Sequence, residues 1–90
     1  MSETEWKIRY TNQGLKDKKI ACANGFREKI NFLIDVLKQN PFEPYPPYEK
    51  LVGDLSGAYS RRINREHRLV YSVHKEQHTI KIISAWKHYE

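Results

Sequence analysis

Residues 58–86, with the sequence AYSRRINREHRLVYSVHKEQHTIKIISAW, decide the fold, because apolar and polar side chains alternate along three short runs within them. Alternation with a period of two is typical of strands that bury one face. The runs predict an antiparallel meander of three strands, over 58–63, 67–73 and 79–86, with turns at 64–66 and 75–77.

The middle strand of this meander shows the clearest alternation. Leu69, Tyr71 and Val73 share one face, which we expect to pack against helices. Arg68 falls on the opposite face together with Val70, so its side chain is predicted to point away from the core.

A strand and a first helix are predicted near the amino terminus. Residues 6–10 alternate as a short strand does, and Thr11 or Asn12 can cap a helix that runs to residue 23. Gly25 then interrupts the helical pattern.

A second helix shows the strongest periodicity. Its apolar stripe consists of Phe26, Ile30, Leu33, Ile34 and Leu37. The helix should end just before Pro41, because proline disfavours the helical conformation in the preceding residue. The predicted class is α+β: an N-terminal strand, two helices and the meander, forming one sheet with helices on one face.

Length, charge and cysteine content limit the classes of protein. The 90 residues predict a single domain over 1–90. One cysteine cannot form an internal disulfide, which suits a reducing cytoplasm, and we expect no secretory signal and no membrane span. Sixteen Lys and Arg against eleven Asp and Glu give a net charge of +5 and favour a polyanionic partner.

Positive charge is concentrated in one segment. Residues 61–68 hold four arginines and one histidine against a single acid, a composition suited to binding phosphates. We therefore expect RNA contacts from this segment, at Arg61, Arg62 and Arg65.

Residues 41–51 contain all four prolines and predict a stiff, extended or turning connection. Glu49 stands at its far end, where a rigid loop would hold a carboxylate in place. Cleavage of RNA without a metal needs a base, an acid and cations around the phosphate. Glu49, His88 and Arg68 are candidates for these three roles, with Tyr89 able to position a base of the RNA.

Each candidate also has a structural interpretation. Glu49 fits a solvated loop carboxylate, Arg68 a surface charge and His88 a terminal residue. His74 and His78 have the spacing of helical zinc ligands but flank a predicted turn, and we expect no metal ion and no cofactor. The residues alone predict a basic α+β domain.

A resemblance to a known family adds specific roles. The run 48–71, YEKLVGDLSGAYSRRINREHRLVY, closely resembles the YoeB/Txe toxins of the RelE/ParE superfamily, whose chains also end in a His-Tyr pair such as His88-Tyr89. The resemblance implies a microbial-RNase-like fold and a metal-free endoribonuclease that enters the ribosomal A site and cuts mRNA. It makes Glu49 the general base, Arg68 the transition-state cation, His88 the general acid and Tyr89 a substrate-orienting residue.

The resemblance also implies partners. A YefM/Axe-like antitoxin would bind the toxin through a disordered segment, and the toxin itself would form a dimer. Some members of the family carry a lysine where Val52 stands, so a phosphate contact from this region would come from Lys50 or elsewhere. Two other functions stay open: a ParE-like toxin that binds DNA gyrase without catalysis, and a plain nucleic-acid-binding module.

Overall fold

A computed structural model describes residues 5–87. Its elements are β1 Lys7–Tyr10, α1 Asn12–Ala21, α2 Arg27–Gln39, β2 Tyr48–Lys50, β3 Ala58–Arg62, β4 Arg68–His74 and β5 Thr79–Lys87. The strands form one sheet in the order β1-β5-β4-β3-β2, in which β1 is parallel to β5 and the other neighbours are antiparallel. The predicted α+β class and the three-stranded meander are confirmed.

The number of strands differs from the prediction. The connection 41–51 was expected to be an extended or turning segment outside the sheet, but its residues 48–50 form the edge strand β2, in which Glu49 lies opposite Ser60 of β3. Three residues are too few to show a period of two, which is why the sequence pattern does not predict this strand. The strand forms because its backbone pairs with the edge of β3. Glu49 is held by strand pairing and not by a loop alone.

Thr11, one of the two predicted caps, precedes the first helix, which ends at Ala21 and not at residue 23 as predicted. The Thr11 side chain accepts a hydrogen bond from the Gly14 N–H at 2.9 Å, and its hydroxyl donates to the Ile83 carbonyl at 2.9 Å. Gly14 is buried, and a Cβ at this position would collide with the carbonyl oxygen of Ile82. Glycine thus allows α1 to lie directly on β5.

The break between the helices lies where the sequence predicts it. A π-helical turn covers Cys22–Phe26, and Gly25 has a φ of 93°, a conformation that favours glycine. The second helix then runs to Gln39, and Asn40 is extended before Pro41.

The core lies between the helices and one face of the sheet. It contains Ala21, Ile30, Leu33, Ile34, Leu37, Ile63, Leu69, Tyr71, Ile80, Ile82 and Ala85. All the predicted stripe residues of the second helix except Phe26 are fully or nearly fully buried, and Phe26 packs against the core from its edge. Within residues 5–87 no helix has the length and apolar character needed to cross a membrane.

Candidate active site

A cleft of about 400 Å³ lies over one end of β2, β3 and β4. It is lined by Lys29, Pro46, Pro47, Glu49, Ser60, Arg62 and Arg68. Strand register explains why the charged side chains meet there: Glu49 is opposite Ser60, and Arg62 is opposite Arg68. Cross-strand partners share a face, and this face is the one that the core does not use.

Glu49 and Arg68 are in direct contact inside the cleft. The Arg68 Nη1 donates to the Glu49 Oε1 at 2.8 Å and lies 3.4 Å from the Ser60 hydroxyl oxygen. The Arg68 side chain is 19% exposed and the Glu49 side chain 62% exposed. The arginine is therefore held in place, while the carboxylate remains accessible to a ligand.

Arg62 lies beside this pair, so the cleft holds two guanidinium groups and one carboxylate from the predicted site residues. Sequence reasoning missed Ser60 and Lys29. Ser60 was detectable, because strand alternation places it on the face of Arg62. Lys29 belongs to α2, and no local pattern indicates that this helix reaches the rim of the cleft.

The prediction that Arg61 contacts RNA is wrong. Arg61 is fully buried and donates hydrogen bonds to the Tyr71 hydroxyl oxygen at 3.0 Å and to the carbonyl oxygens of Pro41 at 3.0 Å, Glu43 at 2.9 Å and Pro46. The physical reason is alternation: Arg61 follows Ser60 and precedes Arg62, so it points into the core when they point into the cleft.

The buried guanidinium organises the connection before β2. Prolines have no N–H, so the segment 41–47 offers more hydrogen-bond acceptors than donors, and Arg61 supplies donors to three of its carbonyls. Its guanidinium also lies 5.0 Å from the centre of the Tyr48 ring. Burial raises the pKa of Tyr71 to about 12, although the nearby Arg61 charge and its hydrogen bond act to lower it.

Two other predicted RNA contacts do not line the cleft. Lys50 lies opposite Tyr59, on the face of the sheet that carries Arg61, so it points away from Glu49. Arg65 is exposed in the turn between β3 and β4. His88 and Tyr89, the predicted acid and orienting residue, lie outside the described residues.

Comparison with known proteins identifies the family. Residues 7–89 match the sequence model of the YoeB-like toxin of bacterial type II toxin-antitoxin systems. The chain belongs to the YoeB family of toxins. It is 38% identical to toxin YoeB of Streptomyces coelicolor over 92% of this chain and 99% of the relative, and 43% identical to that of Synechocystis over 70% and 71%.

Solved structures agree with this assignment. The YoeB/ParE toxin from Agrobacterium tumefaciens superposes with a TM-score of 0.84 at 35% identity, covering 92% of this chain and 99% of that one. The YoeB dimer from Staphylococcus aureus superposes with a TM-score of 0.80 at 40% identity, covering 94% and 99%. The YoeB resemblance predicted from residues 48–71 is therefore confirmed, and the protein is a toxin of the type II toxin-antitoxin kind.

Proposed function

We propose that this toxin is a metal-independent endoribonuclease that cuts mRNA in the ribosomal A site and so inhibits translation in the cytoplasm. The observation that carries the proposal is the 2.8 Å contact between Glu49 and Arg68, beside Arg62, in one cleft. A carboxylate that can accept a proton thus stands next to two cations that can hold a phosphate.

The reaction is a transfer within the RNA strand. Glu49 accepts the proton of a 2'-hydroxyl, and the 2'-oxygen forms a bond to the adjacent phosphorus while the bond to the 5'-oxygen breaks. His88 donates a proton to the departing 5'-oxygen. Arg68 and Arg62 stabilise the negative charge on the phosphoryl oxygens, and Tyr89 orients the substrate.

The contact between Glu49 and Arg68 also suggests how substrate binding changes the site. A phosphate that binds Arg68 would compete with Glu49 for the same guanidinium and leave the carboxylate free to take a proton. The pair costs little to separate, because its carboxylate is largely exposed, and ion pairs open to solvent contribute only about 0 to 1 kcal/mol.

Structures of a related toxin support a protein partner. The related Staphylococcus aureus toxin is known in a YoeB-YefM complex and as a dimer. We propose that a YefM/Axe-like antitoxin silences this chain by covering its basic surface with an acidic segment, and that the toxin pairs with a second copy.

Induced expression in a bacterium tests the catalytic assignment. Glu49→Gln and His88→Ala should each lower cleavage about a hundred- to ten-thousand-fold, equivalent to roughly 3 to 5 kcal/mol of barrier. Glu76→Gln makes the same chemical change at an exposed turn and should cut like the parent. Transcript ends and growth are measured together.

The outcomes separate the functions that the sequence left open. Cleavage by Glu49→Gln at the parental rate would remove this residue as the base. Growth arrest with intact mRNA and loss of DNA supercoiling would replace the nuclease proposal with a toxin that binds a topoisomerase.

A further inference from the structure

Three cations form a second basic region on the sheet. Lys7 and Arg9 belong to β1, and Lys81 belongs to the neighbouring β5. All three are exposed, and within residues 5–87 none has a carboxylate within 4.0 Å. We call Lys7, Arg9 and Lys81 the β1–β5 patch.

The β1–β5 patch lies on the same face of the sheet as the cleft. Arg9 is opposite Lys81, and Lys81 is opposite Ser72 of β4. Ser72 and Arg68 are four residues apart on β4. The β4–β5 pairing shifts register between them, but β4 pairs regularly with β3 over this stretch, so the two side chains lie on one face. Lys7 is two residues from Arg9 and points the same way.

The patch and the cleft are close enough for one ligand to occupy both. Four residues along β4 correspond to about 13 Å, and the two strand spacings from β4 to β1 add about 10 Å across the sheet. Arg68 is therefore about 14 Å from Lys81 and about 16 Å from Arg9, whereas Lys7, two residues farther along the sheet, is about 22 Å away.

The surroundings of the patch favour an anion. The depression in which it lies is lined by Lys7, Arg9, His74, Gln77, Thr79 and Lys81, with no acidic side chain among them. Unpaired lysine and arginine side chains on an exposed strand face provide the mobile cations that bind phosphate groups without reading sequence.

We propose that the β1–β5 patch binds the phosphate backbone of single-stranded RNA, so that a strand held in the cleft continues across the sheet to β1. This inference rests on the proposed function for the identity of the strand as substrate RNA. Glu49, Arg62 and Arg68 act on the scissile phosphate, whereas the patch holds phosphates a few nucleotides away and adds affinity without taking part in the chemistry.

Salt-dependent binding tests the proposal. The probe is a 2'-O-methyl RNA of about twelve nucleotides, whose blocked 2'-oxygen prevents cleavage. The triple variant Lys7→Gln, Arg9→Gln, Lys81→Gln should lower the slope of log K against log salt by about 2, because each phosphate contact to a single strand contributes about 0.7.

A matched variant controls for the loss of charge. Lys16→Gln, Lys19→Gln and Arg27→Gln remove three exposed cations from the helices and should leave the slope within about 0.5 of the parent. A dinucleotide probe, too short to reach from the cleft to the patch, should bind the parent and the patch variant equally. Circular dichroism shows that each variant is folded.

The results distinguish this inference from the proposed function. Equal losses in both triple variants, or no loss in the patch variant, would overturn the inference even if the toxin cuts mRNA. A lower slope in the patch variant alone would support it even if cleavage is never observed. Weaker binding of poly-glutamate with an unchanged RNA slope would assign the patch to an acidic peptide and also overturn it.

Discussion

Replacing Arg61 with methionine should destabilise the protein more than any comparable change on the surface of the sheet. The side chain is fully buried and donates to the Tyr71 hydroxyl oxygen and to the carbonyls of Pro41, Glu43 and Pro46. Methionine fills a similar length without offering a donor, so these acceptors would lose their partner.

The loss of stability in Arg61→Met depends on which hydrogen-bond acceptors remain in the protein after the substitution. A buried charge can often be replaced by an apolar side chain at little cost when its partners leave as well. Here three partners are backbone carbonyls, which no substitution at Arg61 removes, and the proline-rich segment 41–47 has few N–H groups to replace the lost donors. Each buried acceptor left without a donor costs about 1 to 3 kcal/mol. The Pro41 carbonyl keeps the Tyr71 hydroxyl as a donor, and the contacts to Glu43 and Pro46 are only partly buried, so we expect a total at the lower end, about 3 to 5 kcal/mol.

Thermal and urea unfolding measure this loss. A domain of this size has a total stability of about 5 to 13 kcal/mol, so Arg61→Met should lower Tm by roughly 15 to 30 °C. Arg62→Met on the same strand should stay within about 0.5 kcal/mol of the parent, because Arg62 is exposed. Arg61→Lys should lie between the two. A change below about 1 kcal/mol for Arg61→Met would refute the structural role.

Two further predictions concern stability. Alanine is a better helix former than glycine by about 1 kcal/mol, yet Gly14→Ala should destabilise the protein by about 1 to 3 kcal/mol because the new Cβ meets the Ile82 carbonyl. Lys16→Ala, at an exposed position of the same helix, is the control. A gain in Tm for Gly14→Ala would contradict the close packing of α1 on β5. Burial raises the pKa of Tyr71 from 10.0 to about 12, so the contribution of Tyr71 to stability should be constant below pH 10 and fall by about 2 to 3 kcal/mol as pH rises from 10 to 12. The extra fall relative to Tyr71→Phe in urea titrations measures this contribution, and identical pH curves for the two proteins would exclude it.

Sequence patterns predicted the helices and strands in which the spacing of apolar residues repeats over several turns or several strand residues. The apolar stripe of α2 and the alternation in β4 each repeat often enough to define a buried face, and both are confirmed. The strand β2 was missed because three residues carry no period and its pairing with β3 is a nonlocal property.

The site was predicted in part. Strand alternation placed Arg68 away from the core, and the register between β2, β3 and β4 then brought it to Glu49, a contact that no local pattern specifies. Lys29 reaches the cleft only through the packing of α2. The roles of His88 and Tyr89 stay predictions.

Counting charge along the chain wrongly assigned one arginine, Arg61, to the basic surface, and the reason is physical. The segment 61–68 looks uniformly cationic, but alternation sends Arg61 into the core, where its charge serves the fold. Besides Arg62, exposed cations on the face of Arg68 come from β1 and β5, which are distant from it in sequence but belong to the same sheet. The affinity for a phosphate backbone depends on the electrostatic potential of the folded surface and not on the order of charged residues along the chain. RNA affinity should therefore depend more on the β1–β5 patch than on Arg61, although Arg61 belongs to the densest cationic run in the sequence.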